Sequence, residues 1–343
     1  MVPALAVAGA LRAEGAEVTF IGGERAESEL VPAAGYPLRK ISVEGMSRSN
    51  PLRALRSLLR AAVALLRARR LLASIAPDAV MGGGGYVAGP VGLAALTLRI
   101  PLVLTEADSH LGLTNRMLAP FARRVCLAFS ISGRTGARYR VTGRPIPPPA
   151  SDRAVARARI GIAPEATCVL IFGGSLGARS INLAAVEAFA GDLIPPARFH
   201  VLHISGRRDY PKLAERRLPP SYDLREYLGL AEFADALVAA DLVIARAGGS
   251  VFEIAAHGLP AILVPYPHAS GDHQTANARW MADAGAAIVV PDRELNAQRL
   301  AREVAELLAD RGRLERMALA SKGLARPEAA KEIAHELMEA AGR

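Results

Sequence analysis

Residues 241–277 constrain the fold of this chain more than any other stretch. Two short apolar runs, residues 242–245 and 261–264, predict buried strands. Between them, the Gly-Gly-Ser turn at residues 248–250 predicts the start of a helix that ends near Gly258. Such a turn exposes backbone N–H groups at a helix N-terminus, where anions bind. The pattern therefore indicates an open α/β sheet with a ligand at the carboxyl ends of its strands.

Two sets of polar residues fall where this unit would hold its ligand. Glu253 lies in the first turn of the predicted helix, where the helix dipole favours a carboxylate. An acid at such a position also accepts the hydroxyls of a ribose in nucleotide-binding folds, and both interpretations stay open on these residues alone. Asp272, His273 and Gln274 follow the second strand in a predicted loop. Polar loop residues at strand ends often bind ligands, and a solvated loop is the alternative.

Four segments of this stretch resemble a known donor-site signature. They are Arg-Ala-Gly-Gly-Ser-Val-Phe-Glu at 246–253, Gly-Leu-Pro-Ala at 258–261, Pro-Tyr-Pro-His at 265–268 and Asp-His-Gln-Thr-Ala-Asn at 272–277. Together they resemble the MurG family of N-acetylglucosaminyltransferases, which belongs to glycosyltransferase family 28. The resemblance implies that Glu253 binds the uridine ribose, that Gln274 contacts the donor sugar, and that Gly248 and Gly249 line the donor site. Between Arg246 and Glu253 this chain is one residue shorter than the usual family form.

A second glycine turn follows the apolar run at residues 167–172, which predicts a strand. It reads Gly-Gly-Ser-Leu-Gly-Ala at residues 173–178 and opens a predicted helix. Glycines there let the backbone approach a ligand, and a turn that merely packs closely is the alternative. In the family this loop binds the donor diphosphate, so the resemblance implies that role for Gly174 and Ser175. Leu230 ends a segment with a strand pattern, where the family pairs backbone groups with uracil.

The first half of the chain resembles the acceptor side of the family. Residues 79–81 predict a strand, and a glycine-rich loop through Pro90 and then a helix follow. Part of that loop matches the family's second glycine loop, where the acceptor diphosphate is thought to lie: Gly83, Gly84, Gly85 and Tyr86. After the next predicted strand the chain has Thr-Glu-Ala-Asp where the family usually has His-Glu-Gln-Asn. The resemblance implies that Asp108 contacts the donor, although its carboxylate lacks the donors of an amide.

The chain opens on a predicted helix at residues 1–14, whereas a doubly wound domain is expected to open on a strand and a glycine loop. In the family, the Pro-Ala-Leu-Ala at residues 3–6 follows a strand and a Gly-Gly-Thr-x-Gly-His loop. The His of that loop is a proposed catalytic group of the family. The resemblance therefore predicts that this strand and loop are missing, that the catalytic base is unassigned, and that this chain has little or no activity.

The net charge of +9 predicts an anionic partner. Residues 51–73 predict an amphipathic helix with an apolar stripe and a basic stripe, the latter formed by Arg53, Arg56, Arg60 and Arg67. A solvated face of an ordinary surface helix is one interpretation of the basic stripe, and contact with anionic lipid is the other. The polyprenyl-linked acceptor of the family favours the lipid, so we expect an anionic membrane surface and no nucleic acid as partner.

Three further features of the sequence bear on membrane spanning, on the cysteines and on metal binding. The charge-free run at residues 79–98 contains Gly and Pro residues, which argue for a break between elements and against a transmembrane helix. Cys126 and Cys168 lie in apolar runs and are expected to be buried, inert thiols. The sequence contains no Asp-x-Asp motif, so we expect neither a metal nor another cofactor.

We therefore expect an α/β protein with the GT-B fold, in which two doubly wound, parallel-sheet (Rossmann-like) domains face a cleft. Residues 1–146 would form the acceptor and membrane-associated domain, joined by a C-terminal helix at residues 327–343. Residues 150–326 would form the UDP-sugar donor-binding domain, after a proline-rich linker.

The resemblance implies inverting transfer of N-acetylglucosamine from UDP-N-acetylglucosamine to lipid I. The product is lipid II, for peptidoglycan synthesis, and the enzyme would be a peripheral protein on the cytoplasmic side of the bacterial cell membrane. Two alternatives remain open at this point. One is a related UDP-sugar transferase with another lipid acceptor, and the other is a non-catalytic, membrane-docked UDP-sugar-binding protein.

Overall fold

The computed structural model describes residues 1–24, 27–41, 51–147, 152–174, 176–190 and 199–342, without the side chains of residues 51–61 and 270. Ser175, the linker residues 148–151 and the side chains of Arg53, Arg56 and Arg60 thus lie outside the described part. The chain divides into two compact units. The first comprises Met1–Pro147 and Arg326–Arg343, and the second comprises Pro148–Ala325.

The first unit is an α/β domain with parallel strands. Its elements along the chain are α1 (Val2–Ala13), β1 (Phe20–Gly22), α2 (Glu27–Ala33), β2 (Leu38–Lys40), α3 (Pro51–Ile75), β3 (Val80–Gly82), α4 (Gly85–Thr97), β4 (Leu102–Glu106), α5 (Leu113–Leu118), β5 (Arg124–Leu127) and β6 (Tyr139–Val141). Strands β3, β4, β5 and β6 pair in that order, all in parallel. Within the described residues, β1 and β2 form a separate parallel pair.

Alternation along the central strands sends side chains to both faces of the four-stranded sheet. Leu102 and Leu104 of β4 are buried with Val91 of α4 and Leu72 of α3. Val103, between them in sequence, joins a second core on the opposite face. The sheet is therefore covered on both sides, as parallel sheets usually are.

The second unit is built on a six-stranded parallel sheet. Its elements are α6 (Arg153–Ile160), β7 (Thr167–Phe172), α7 (Arg179–Phe189), β8 (Phe199–Ile204), α8 (Tyr210–Leu213), β9 (Tyr222–Arg225), α9 (Leu230–Ala239), β10 (Leu242–Ala245), α10 (Val251–Ala256), β11 (Ala261–Leu263), α11 (His273–Asp283), β12 (Ala287–Val289), α12 (Ala297–Ala309) and α13 (Arg311–Gly323). The strand order is β12-β11-β10-β7-β8-β9. From β7 the chain runs outward through β8 and β9, then returns to β10 on the other side of β7.

The last helix, α14 (Ala329–Ala340), belongs to the first unit. Its residues Ile333 and Leu337 are buried with Val7 of α1 and with Val103. At the rim of this contact, Arg124 of β5 pairs with Glu336 at 2.6 Å and with a second glutamate one turn further on. The amphipathic tail that the sequence predicts therefore packs on the first unit.

Two expectations about element boundaries in the chain were wrong. The loop predicted through Pro90 ends earlier, because α4 begins at Gly85, so Gly85 and Tyr86 are its first two residues. Pro90 lacks an N–H and forfeits one helical hydrogen bond, but burial of the following residues against the sheet favours the helix. Leu230 was expected at the end of a strand but is the first residue of α9. The N–H of Gly229 donates to the Glu232 carboxylate at 2.9 Å, which caps the helix there.

The segment after β11 also differs from its prediction. Asp272 ends a short 3₁₀ turn and has a left-handed φ of +51°, and α11 begins directly after it. His273 and Gln274 therefore lie in the first turn of a helix, not in a loop. The hydroxyl of Thr275 donates to the Asp272 carboxylate at 2.6 Å and stabilises this helix start.

The two cysteines are buried, as the sequence predicts, whereas most of the charge-free run at residues 79–98 forms helix α4. Burial raises the pKa of the Cys126 and Cys168 thiols to about 12. None of the helices in the described ranges combines the length and the apolarity that are needed to cross a membrane.

Candidate functional site

Two glycine turns lie side by side at the carboxyl ends of β7 and β10. These strands are neighbours in the sheet, and the chain leaves them in opposite directions, toward β8 in one case and β11 in the other. Loops after such a pair diverge and leave a crevice at the end of the sheet. In open α/β sheets this topological switch point is where ligands bind.

The turn after β7 requires glycine for steric reasons. A Cβ on Gly173 would lie 2.4 Å from the amide nitrogen of Ala178, and a Cβ on Gly177 would lie 1.9 Å from the carbonyl oxygen of Ser205. Gly174 has a φ of +92° and is exposed, so its backbone faces open space. The turn combines close packing on one side with an accessible backbone on the other.

The turn after β10 is held from behind by two side chains. Asn277, which is buried, donates from its amide to the carbonyl oxygen of Ala247 at 3.0 Å. Arg246 donates from Nη1 to the carbonyl oxygens of Val264 and Pro265, at 3.0 and 3.2 Å. The turn is therefore fastened to the loop that follows β11 and to the start of α11.

Arg246 also joins two further elements at this end of the sheet. Its guanidinium forms an ion pair with Asp292, which follows β12, and donates to the hydroxyl of Ser180 in α7 at 2.8 Å. The same hydroxyl donates to Asp292 at 2.6 Å. This cluster, which we call the Arg246 clamp (Ser180, Arg246 and Asp292), fixes the positions of several strand-end loops at once. The sequence analysis missed it, because its members lie far apart in the chain and only Arg246 falls in a motif.

Gln274 and Glu253 lie beside the turn after β10. Gln274 accepts from the amide of Tyr266 at 2.9 Å, and its Nε2 lies 4.0 Å from the position of a Cβ on Gly248. The amide group of Gln274 therefore sits next to the glycine turn. Glu253 is half-buried in the first turn of α10, and its carbonyl oxygen accepts from Nδ1 of His257 at 2.8 Å.

The predicted donor residues of the second unit share one end of its sheet. Those at the carboxyl ends of β7, β9, β10 and β11 are Gly174, Leu230, Gly248, Gly249, Glu253 and Gln274. Ser175 lies outside the described residues. Asp108 belongs to the first unit and is not part of this group.

In the first unit, a buried glutamate organises the loop that contains Asp108. Glu106 accepts from the backbone N–H of Ala107, Asp108 and Gly112, at 3.0, 3.2 and 2.8 Å, and from the Asn115 amide at 2.9 Å. The hydroxyl of the neighbouring Thr114 donates to the carbonyl oxygen of Gly85 at 3.3 Å. The glycine loop after β3 and the loop after β4 are thereby linked.

A cavity of about 160 Å³ lies at the carboxyl ends of these strands. Gly83, Glu106 and Arg144 are among its lining residues, together with Met1. The predicted acceptor residues therefore also gather at the carboxyl end of a parallel sheet, in their own unit.

Two α/β units with parallel sheets and glycine turns at strand ends are typical of the GT-B fold, and comparisons with known proteins identify the class as a glycosyltransferase. The family model for the N-terminal domain of glycosyltransferase family 28 matches residues 1–127, and the model for its C-terminal domain matches residues 168–333. The crystal structure of Acinetobacter baumannii MurG, at 29% identity, superposes with a TM-score of 0.76 and covers 98% of this chain and 95% of that one.

Relatives in other bacteria match at higher identity. The UDP-N-acetylglucosamine–N-acetylmuramyl-(pentapeptide) pyrophosphoryl-undecaprenol N-acetylglucosamine transferase of Rubrobacter xylanophilus is 42% identical over 344 residues, which cover 98% of this chain and 99% of the relative. The protein of the same name from Moorella thermoacetica is 40% identical over 352 residues, which cover 98% of this chain and 95% of the relative. The chain therefore belongs to glycosyltransferase family 28 and is a hexosyltransferase.

Proposed function

We propose that this chain transfers N-acetylglucosamine from UDP-N-acetylglucosamine to lipid I, the undecaprenyl-linked muramoyl pentapeptide, and so forms lipid II for peptidoglycan synthesis. The observation that carries the proposal is the identity of about 40% along nearly the full chain to enzymes named for this transfer. The crevice at the switch point of the second unit supplies a place for the nucleotide.

The second unit binds the donor in this proposal. Glu253 accepts the two ribose hydroxyls, and backbone groups at Leu230 pair with uracil. The exposed backbone of Gly174, with the hydroxyl of Ser175, binds the diphosphate, and Gly248 and Gly249 leave room for it. Support comes from the shared position of the described residues at one end of the sheet, and from the amide of Gln274 beside Gly248, where it reaches the donor sugar.

Electrostatic stabilisation of the leaving group is the main chemical task of these residues. In a single inverting displacement, bond breaking at the anomeric carbon develops negative charge on the diphosphate of UDP. Backbone N–H donors that are already oriented stabilise such charge without reorganising, and removing one typically costs 10²–10³ in rate. The clash distances at Gly173 and Gly177 show that the turn after β7 has little freedom to reorganise.

The first unit binds the acceptor in this proposal. Gly83 and Gly84 of the glycine loop, with Gly85 and Tyr86 at the start of α4, hold the lipid diphosphate, and Asp108 lies on the adjacent loop. The link from Thr114 to Gly85 and the bonds to Glu106 support a common, ordered surface for these two loops. No general base is assigned.

We further propose that α3 docks on the cytoplasmic face of an anionic membrane. In its described part, Ala64, Ala68 and Leu72 are buried. Another face of the helix carries exposed residues at helical spacing, namely Val63, Leu66, Arg67 and Arg70. Each arginine at such a surface contributes about 1 kcal/mol of attraction to anionic lipid.

Acceptor specificity tests the proposed reaction. Incubation with radiolabelled UDP-N-acetylglucosamine should label a lipid I analogue and leave diacylglycerol unlabelled. The choice of acceptor, and not the rate of transfer, is the result that decides. Labelling of diacylglycerol alone would support the related transferase, and UDP binding without any transfer would support the non-catalytic protein.

Vesicle flotation tests the membrane proposal. The double variant Arg67→Gln, Arg70→Gln should bind vesicles of 30% phosphatidylglycerol about tenfold or more weakly than the unaltered chain, because two contributions of about 1 kcal/mol are lost. The matched control, Arg216→Gln with Arg217→Gln, removes the same charge from exposed positions in the second unit. Equal losses in both variants would show that net charge, and not α3, determines binding.

A further inference from the structure

The turn after β7 rests directly on the end of β8. Gly177 and Gly206 both have a left-handed φ of +81°. A Cβ on Gly206 would lie 2.1 Å from the amide nitrogen of Gly177, and a Cβ on Gly177 would lie 1.9 Å from the carbonyl oxygen of Ser205. Because backbone touches backbone here, the position of Ser205 determines the position of the turn.

One buried side chain connects this contact to α7. Asn182 is 1% exposed, and its Nδ2 donates to the carbonyl oxygen of Ser205 and to the carboxylate of Asp209, both at 2.9 Å. Both partners only accept hydrogen bonds, which determines the orientation of the amide. Its Oδ1 therefore points the other way, where it lies 3.0 Å from Nε2 of His203.

This orientation selects one tautomer of His203. Oδ1 of Asn182 only accepts, so Nε2 of His203 carries the proton, and Nδ1 accepts from the hydroxyl of Tyr222 at 2.7 Å. His203 is completely buried, and burial lowers its pKa to about 3, so the ring is neutral near pH 7. Donation thus runs in one direction, from Tyr222 through His203 and Asn182 to Ser205.

The opposite tautomer is incompatible with the turn. It would direct the lone pair of His203 Nε2 at Oδ1 of Asn182, and these two acceptors repel each other. Rotation of the amide would relieve that repulsion but would break the bond to Ser205. Asn182 therefore selects the tautomer, and the hydroxyl of Tyr222, which can donate or accept, satisfies the remaining lone pair of Nδ1 and holds the ring in place.

We propose that Tyr222, His203 and Asn182 are positioning residues that hold the described part of the turn after β7, residues 173–174 and 176–178, in the conformation that binds the donor diphosphate. The inference rests on the proposed function, because it takes this turn to be the diphosphate site. It also gives a reason for three polar side chains in the core, where each is costly unless its hydrogen bonds are satisfied.

Tyr222→Phe tests how this hydroxyl holds the ring, with little change in shape. His203 should keep its proton on Nε2, as read from the ¹⁵N shifts of its ring, because Oδ1 of Asn182 still only accepts, but Nδ1 loses its partner. The dissociation constant for UDP in calorimetry should rise about tenfold, the loss that corresponds to one hydrogen bond at the upper end of its net contribution. Affinity for uridine, which has no phosphate, should stay unchanged. The control is Tyr36→Phe, which removes the hydroxyl of another buried tyrosine, in the first unit.

Asn182→Asp tests the next bond in the chain. The carboxylate still accepts from His203 but no longer donates to Ser205 or Asp209, so the affinity for UDP should fall about tenfold or more, because buried acceptors lose their donor. Urea unfolding, followed by tryptophan fluorescence, verifies that each variant is folded under the binding conditions.

Several outcomes would overturn the inference. Unchanged UDP affinity in both folded variants would do so, and so would equal losses for UDP and uridine, since these indicate a general structural effect. An unaltered chain in which His203 carries its proton on Nδ1 would contradict the proposed route. If the unaltered chain binds no UDP, the proposed function fails together with the inference, whereas UDP binding with insensitive variants refutes the inference alone.

Discussion

The Arg246 clamp offers a sharp test of how this site is held together. Arg246→Ala removes an ion pair whose two side chains are only 12% and 23% exposed. It also leaves the carbonyl oxygens of Val264 and Pro265 without this donor. Breaking a buried pair costs about 3–5 kcal/mol of stability. Because both partners are partly exposed, we expect the free energy of unfolding to fall by about 3 kcal/mol.

Arg246→Lys separates the charge from the shape of the guanidinium. Lysine keeps the attraction to Asp292, but a single ammonium nitrogen cannot reach Ser180 and the two carbonyl oxygens together. We expect a loss of about 1–2 kcal/mol, equivalent to one or two net hydrogen bonds.

The chain supplies its own probe for this measurement. Trp280, the only tryptophan in the sequence, lies in α11 with its ring centroid 5.0 Å from that of Phe252. Its fluorescence during urea unfolding therefore reports on the second unit. The free energy of unfolding should fall in the order unaltered chain, Arg246→Lys, Arg246→Ala, and UDP affinity should fall in the same order because the loops share this anchor.

An exposed ion pair serves as the control. Arg311→Ala removes a partner of Glu315 where both side chains are more than half exposed, so the loss should be about 0.5 kcal/mol or less. A loss for Arg246→Ala no larger than that of Arg311→Ala would refute the reasoning.

Three other predictions concern the donor site and the core. Glu253→Ala should weaken binding of UDP more than binding of 2′,3′-dideoxy-UDP in calorimetry, because only the intact ribose offers both hydroxyls. Equal losses for the two ligands would contradict a contact between Glu253 and the ribose. Cys126 and Cys168 should react with a thiol reagent at pH 8 only after unfolding, since burial raises the pKa of each to about 12; rapid labelling of the native chain would contradict this. His203 has a pKa lowered to about 3 against an ordinary value of 6.5, so the unfolded chain binds more protons between these values and stability should fall as pH drops below about 6.5. The urea midpoint followed by Trp280 fluorescence should show this fall, and His203→Gln should show a smaller one.

Much of the second unit could be predicted from local pattern. The strands Thr167–Phe172 and Leu242–Ala245 lie where their apolar runs end in glycine turns. A strand covered on both faces has to be apolar along its whole length, so its limits are visible in the sequence. The glycine positions of the turn after β7 could be predicted for a similar reason, because only glycine tolerates the close backbone contacts at Gly173 and Gly177.

Helix starts were harder to predict. Leu230 looked like the end of a strand, but a capping bond between Gly229 and Glu232 begins a helix there. Gln274 looked like a loop residue and lies in the first turn of α11. In both cases a local apolar or polar pattern fits two conformations, and one hydrogen bond or one backbone angle decides between them. The roles of these residues stay predictions.

The sequence by itself determined the fold class, the glycine turns and the family, because these depend on residues that are close together in the chain. Only the tertiary structure decided which distant side chains support the site. Arg246 meets Ser180 and Asp292 because parallel strands bring their carboxyl ends to one edge. His203 meets Asn182 for the same reason, although 21 residues separate them. Contacts of this kind depend on strand order and register, which no local pattern specifies.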